Sequence, residues 1–519
     1  MHPLRASLTA LVASFTWLAV AQAAVEPHPL FTDGAVLQRD MPVPVWGTAQ
    51  DGEKVTVKFN GQEKSATAKD GRWEVTLDKM SAGGPFELSI AGENQVTVKD
   101  VMVGEVWIAS GQSNMQWPVS RSAGAEQAIA SAGNPYLRLF TVPRQAMPDP
   151  QLSVATKWEP CNSQTLPDFS AVAYYFGRDL QKKLGVAVGL INTSYGGTPA
   201  EAWTSREGLL ASPTLKGMIA ARDAAIANFP AAQEQYAKAV AAWEQAAAKA
   251  KDAGENAPEK PKPPQDPSTS PHSPSGLYNA MIHPLVPYAF RGAIWYQGES
   301  NAGRAYEYRT LFPAMISDWR RIWHKEEFPF LFVQLAPFMK MTNEPGDSAW
   351  AELRDAQLHT ARTLPNTAMA VITDVGEEND IHPQKKQPVG ERLALAALAL
   401  AYGQPVEYSG PDANGAEFSG AKAVVKFKHV GGGLVGRDAQ GNPTPELTGF
   451  TLAGDDQKFV NAQAKIEGDT VVVTAAGVTK AAAVRYGWAN FPLGNLWNQA
   501  GLPASPFRTD DFPLTTAPK

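Results

Sequence analysis

Cysteine is almost absent: 519 residues contain one, Cys161. A single thiol rules out an intramolecular disulfide framework, a CxxC redox pair and a cysteine-rich zinc module. Basic excess is missing too. The 46 Lys and Arg face 52 Asp and Glu, a formal net charge of -6. Nothing here is built to neutralise phosphate, so a dedicated nucleic-acid binder is not expected. Histidine is scarce, at 8, with no HExxH and no His/Cys cluster, so the sequence calls for no metal and no other cofactor. What is present is ordinary for a globular protein: 44% apolar and 19% charged residues. The length suggests about three domains. The 14 Trp supply core, and also flat surfaces of the kind that stack on sugar rings.

Residues 1–23 read as a leader outside the fold. Arg5 gives a positive start, Leu8 to Ala21 is nearly all apolar, and Ala21-Gln22-Ala23 is a small-x-small cleavage site. The stretch is too short for a membrane span, and no later segment is long and apolar enough for one. Cleavage near Ala23 would leave a periplasmic or secreted protein held together by packing. Residues 24–100 read as an N-terminal β-sandwich-like domain, with short strands punctuated by Asp51-Gly52, Asn60-Gly61, Asp70-Gly71 and Gly83-Gly84. From 101 to 402, short apolar strands alternate with helical stretches, which predicts α/β architecture with a parallel sheet flanked by helices. Inside it lies an insertion at about 206–275. Ser212–Ala253 is Ala-rich and reads as helix, and a Pro-dense connection follows it. Residues 403–519 return to strand and turn signals and read as a C-terminal β domain.

Four strand ends carry chemistry. The run Val106 to Ala109 is an apolar strand, and the Gly111-Gln112-Ser113-Asn114-Met115 turn after it presents Ser113. Ligands bind at the carboxyl ends of strands in open α/β sheets, where a serine can serve as a nucleophile. On this stretch alone Ser113 reads equally well as a helix cap. In Gly376 to Pro383, Asp380 and His382 stand two apart on one loop, which suits a carboxylate orienting an imidazole base. His283, His324 and His359 are the rival histidines. Gln297 and Asn301, after the strand ending Trp295-Tyr296, are amides placed where an oxyanion could be met. The pair Gly196-Gly197 frees backbone N–H groups for close approach to a substrate oxygen.

Together these stretches resemble the SGNH hydrolase superfamily, and within it the sialate O-acetylesterase family. The resemblance rests on Gly-Gln-Ser-Asn-Met-Gln-Trp-Pro at 111–118 and Leu-Tyr-Asn-Ala-Met-Ile-His-Pro-Leu at 277–285. It rests equally on Ile-Trp-Tyr-Gln-Gly-Glu-Ser-Asn-Ala at 294–302, Asp-Ile-His-Pro at 380–383 and the tail from Leu496 to Asp510. It covers nearly the whole chain after the leader, least of all the insertion. It implies Ser113 as nucleophile, His382 as base and Asp380 as the orienting carboxylate, with Asp374 as fallback. Asp380 lies two before His382, where the family pattern has an Asp three before. The resemblance also implies an oxyanion hole from the N–H groups of Ser113 and Gly197 plus one amide side chain. The third motif here is Gln-Gly-Glu-Ser-Asn rather than Gly-x-Asn-Asp, so Gln297 takes that place, with Asn301 second. The implied partner is an O-acetylated carbohydrate, sialic acid by the family's name. Acetylated xylan or xyloglucan is the alternative within the same chemistry. A non-catalytic carbohydrate-binding protein on an esterase scaffold is the alternative of another class.

Overall fold

A computed structural model describes residues 24–325 and 327–518. The expected leader, 1–23, lies outside the described residues. Among the described residues no helix is long and apolar enough to cross a membrane.

The N-terminal turn signals behave as their chemistry dictates. Lys54–Phe59 and Gln62–Thr67 form an antiparallel hairpin. Its Asn60-Gly61 turn has both residues at positive φ, +45° and +80°, the backbone a two-residue hairpin demands. Val55, Val57 and Phe59 alternate inward. The expected boundary at 100/101 crosses a continuous element. One strand of 17 residues, Gln95–Gly111, pairs antiparallel with Gly83–Ala91 through its first half. Its second half lies between Val188–Ser194 and Gly292–Tyr296, parallel to both. Residues 101–111 are all buried, which is why this half is apolar without alternation.

The central sheet is mixed rather than wholly parallel. Its order is Glu159–Cys161, Asn134–Thr141, Val188–Ser194, Gln95–Gly111, Gly292–Tyr296, Phe330–Val333, Thr367–Ala370. The first of these is an antiparallel edge strand, and the other six run parallel. Side chains alternate between two cores. Ala293, Trp295, Phe330 and Phe332 face the helices Ala305–Ile322 and Ala349–Thr363. Ile294, Tyr296, Leu331 and Val333 face Ala171–Leu184 and Gln387–Leu400. The chain crosses from one side of Gln95–Gly111 to the other between Val188–Ser194 and Gly292–Tyr296. Ser113 therefore follows the strand at which the order reverses, the place where α/β sheets open a crevice.

The insertion is a helix, Lys216–Asp252, in which only Ile219 is fully buried. The Pro-rich return folds back on it: Trp243 Nε1 donates to Pro258 O at 2.7 Å, and Lys260 Nζ lies 5.2 Å from the Trp243 ring centre. Beyond residue 403, strands form three small sheets. Buried Arg354 pins them to the central unit, donating to Leu335 O and Ala336 O on one side and Ala489 O and Asn490 O on the other. The tail motif has structural work. Asn498 Nδ2 donates to Ser409 O and His429 O, and Asp510 forms a two-pronged pair with Arg485.

Candidate active site

Gly111 ends the central strand at φ +135°, and a Cβ there would lie 2.2 Å from Tyr296 O. Only glycine fits, and the tight turn that follows presents Ser113 at the start of the helix Ser113–Gln116. Ser113 Oγ lies 2.9 Å from His382 Nε2. His382 stacks on Trp117, with ring centres 5.0 Å apart and 18° between planes. Asp380 Oδ1 accepts the His382 backbone N–H at 2.8 Å and lies 3.6 Å from His382 Nδ1. Desolvation, then the nearby charge of Lys386, lowers the His382 pKa from its ordinary value, with Asp380 opposing. Serine and imidazole are within hydrogen-bond reach of each other, and the Asp380 carboxylate lies beyond the imidazole at the longer 3.6 Å.

The fallback carboxylate is engaged elsewhere. Asp374 grips Arg392 through both oxygens, at 2.6 and 2.7 Å. Among the rival histidines, His283 Nδ1 is bonded to Gln151 O.

Gly197 adopts φ +75°. A Cβ on the preceding Gly196 would stand 3.2 Å from Ser113 Cβ, so this loop lies against the serine. Among the described residues the backbone N–H groups of Ser113 and Gly197 have no hydrogen-bond partner. The two amide side chains both have partners within the fold. Gln297 is fully buried, and its Nε2 donates to Thr198 O at 3.2 Å and Asn301 Oδ1 at 2.7 Å. Its Oε1 accepts from Tyr308 at 3.0 Å. Asn301 accepts from Ala200 N–H and donates to Glu201. Both N–H groups of Gln297 are taken up by Thr198 and Asn301, whereas Asn301 Nδ2 places one of its two N–H groups on Glu201.

His272, in the Pro-dense connection, places its Nε2 2.9 Å from Gly197 O. Beside Ser113 the fold also gathers Asn114, Trp117, Glu299 and Lys386. The first three lie in the quoted motifs. Lys386 carries no signal beyond standing four residues after His382. A cavity of about 560 Å³ opens next to the Ser113 helix, lined by Gln116, Arg144, Glu159, Asp168, Phe169 and Asn192 among others.

The sialate O-acetylesterase of Rattus norvegicus is 33% identical over 405 residues, covering 71% of this chain and 72% of that protein. The chain belongs to the sialate O-acetylesterase family. The human sialate O-acetylesterase gives 33% identity over 404 residues, covering 71% and 69% of the two chains. The family model described as "Carbohydrate esterase, sialic acid-specific acetylesterase" matches residues 270–399, a span that includes both Glu299 and His382. Among solved structures, a carbohydrate acetylesterase from Xanthomonas citri superposes with a TM-score of 0.79 at 38% identity, covering 94% of this chain and all of that one.

Proposed function

We propose that this member of the family is an exported SGNH-type serine esterase that removes O-acetyl groups from carbohydrates, O-acetylated sialic acid first among them. The observation that carries this reading is the 2.9 Å contact between Ser113 Oγ and His382 Nε2 at the sheet's switch point. In the proposed reaction His382 takes the proton of Ser113 as Oγ attacks the acetyl carbonyl. The oxyanion is held by the backbone N–H groups of Ser113 and Gly197. The sugar oxygen leaves with the proton from His382. Water, deprotonated by the same imidazole, then releases acetate and restores Ser113. Asp380 holds the ring with Nε2 toward serine. The cavity that reaches Gln116, at the end of the Ser113 helix, carries Arg144, Glu159 and Asp168 on its wall, groups able to hydrogen-bond a hydroxyl-rich substrate.

Acetylated xylan or xyloglucan is a second reading. It draws on the Xanthomonas citri neighbour, which is described as a carbohydrate acetylesterase with no particular sugar named. Acetate release from O-acetyl sialic acid, acetylated xylan and acetylated xyloglucan separates the two. Ser113→Ala and His382→Ala should each lower kcat by about 10⁴–10⁶-fold without unfolding the chain. A folded Ser113→Ala protein with near-normal turnover would refute the mechanism.

A further inference from the structure

Lys386 is fully buried, although lysine is rarely found so. It precedes the helix Gln387–Leu400, and its Nζ donates to Asn114 Oδ1. Asn114 follows Ser113 in the chain. The amide nitrogen of Asn114 donates in two directions, to Glu299 Oε1 at 2.6 Å and to Ile381 O at 2.9 Å. Ile381 O belongs to the peptide that joins Ile381 to His382. The ammonium also stands 5.7 Å from the Trp117 ring centre and 5.5 Å from that of Tyr296. Trp117 is the ring on which His382 stacks.

We propose that Lys386 is a positioning residue: through Asn114 it clamps the turn that bears Ser113 to the loop that bears His382. The amide of Asn114 is the crossbar. A lysine nitrogen at Oδ1 fixes which end of the amide is which, since a flipped amide would set N–H against N–H. Only the unflipped amide reaches Glu299 and the His382 loop together. The arrangement costs burial of two charges, and both respond. Burial pushes the Lys386 ammonium down to about 7 and the Glu299 carboxyl up. Glu299 Oε2 has no partner among the described residues. A pair held at that cost for packing alone is poor design, because well-packed apolar residues of similar volume often do as well.

The clamp has an electrical consequence. The groups that act on His382 are Lys386 and Arg121, which oppose its protonation, and Asp380, which favours it. Those that act on Lys386 are Glu299, Asp380 and Glu377. His382 must be neutral to accept the serine proton. It titrates below its ordinary 6.5, where Lys386 still carries its charge. Removing that charge lets the His382 pKa rise, so the acid limb of the activity profile moves to higher pH.

The inference rests on Ser113 and His382 being the reacting pair, so Ser113→Ala and His382→Ala are measured alongside. If either retains turnover, that reading fails whatever Lys386 does. The test is kcat, KM and the pH profile of 4-nitrophenyl acetate hydrolysis for Lys386→Met, for Lys386→Met with Glu299→Gln, and for Asn114→Leu. Circular dichroism checks the fold. The double variant leaves no unpaired carboxylate should the single one misfold. In the Lys386 variants kcat should fall by up to about 10²-fold with KM little changed, the effect of an ångström-scale misplacement. Their acid limb should also move upward. Asn114→Leu should lose kcat similarly while its limb stays in place. A folded Lys386 variant with normal kcat overturns the inference. So does a kcat loss with an unmoved acid limb, which is the mark of a packing role, or a fully active Asn114→Leu.

Discussion

Asp380 and Asp374 both stand near the end of the strand Thr367–Ala370, and exchanging each for Asn should give opposite results. Asp380 Oδ1 is 3.6 Å from His382 Nδ1, and its side chain is 44% exposed. At that distance a charge pair is worth roughly 1 kcal/mol in water and about 4 kcal/mol at an effective dielectric of 20. Exposure places this pair near the lower end. Loss of imidazolium stabilisation therefore costs about tenfold in rate. Loss of the orienting acceptor leaves the ring free to hold the wrong tautomer and adds a further factor of about 10–100. The product is a kcat fall of on the order of 10²–10³ for Asp380→Asn, less than the roughly 10⁴ of a buried protease aspartate. Its melting temperature should hardly change, because Asn still accepts the His382 backbone N–H.

Asp374→Asn should do the reverse. Arg392 has a side chain only 10% exposed, and Asp374 neutralises it through two short bonds. Breaking a buried pair costs about 3–5 kcal/mol. Asp374 is itself 25% exposed, and Arg392 keeps its bond to Val371 O, so about 2 kcal/mol is expected here. Steady-state kinetics on 4-nitrophenyl acetate and denaturant melts on both variants decide the matter. An Asp374→Asn protein that melts like wild type but loses 10³-fold or more in kcat would refute the assignment of the carboxylate to Asp380.

Gln297→Ala should be a stability variant. It strips partners from Tyr308 Oη and Thr198 O and leaves Asn301 Oδ1 with Ala200 N–H alone, and buried polar groups left unpaired cost about 1–3 kcal/mol each. A drop of several degrees in Tm is expected, and a normal Tm with a 10²-fold kcat defect would return Gln297 to the oxyanion hole. His28 should make the fold acid-sensitive. Burial, with Arg72 nearby, lowers its pKa from 6.5 to about 4, so between those values the unfolded chain takes a proton that the folded chain refuses. Stability is then fully present above pH 6.5 and falls by about 3 kcal/mol as pH drops toward 4. Urea midpoints across that window should show the slope, and His28→Gln should flatten it.

Much of this was legible because local chemistry and tertiary need agree. The Asn60-Gly61 hairpin needs no partner to be read, since its turn residues have few other uses. Ser113 and His382 could be singled out as candidates because each follows a strand end inside a quoted motif, and the fold brings the two within 2.9 Å. The remainder depended on partners distant in sequence. Glu159–Cys161 is three residues long and carries a proline. It is a strand only because Asn134–Thr141 offers it an edge, so no periodicity could reveal the antiparallel member of the sheet. The change of texture at 100/101 is genuine, but it marks where the strand Gln95–Gly111 becomes buried on both faces, not where it stops. For Gln297 the sequence supplied a residue type at a strand end. Whether an amide meets substrate or its own loop turns on Thr198, Asn301 and Tyr308, and no spacing rule brings those three together.

The same reasoning explains why two motifs separated by some 180 residues belong to one device. Asn114, one residue after the serine, and Glu299, two residues after Gln297, meet at 2.6 Å. From either block alone, Asn114 reads as part of a turn and Glu299 as a surface acid. In the fold Asn114 is bonded on three sides, by Lys386, Glu299 and the Ile381 carbonyl. Lys386 and Ile381 come from the connection after Thr367–Ala370, and Glu299 comes from the one after Gly292–Tyr296. A turn that presents a nucleophile must be short, as Gly111 makes it, yet a short turn has few contacts of its own to hold it still. Burying a polar crossbar one residue later supplies that rigidity without filling the space where substrate must enter. Asn114 is thus the residue through which the serine turn is fixed to its imidazole.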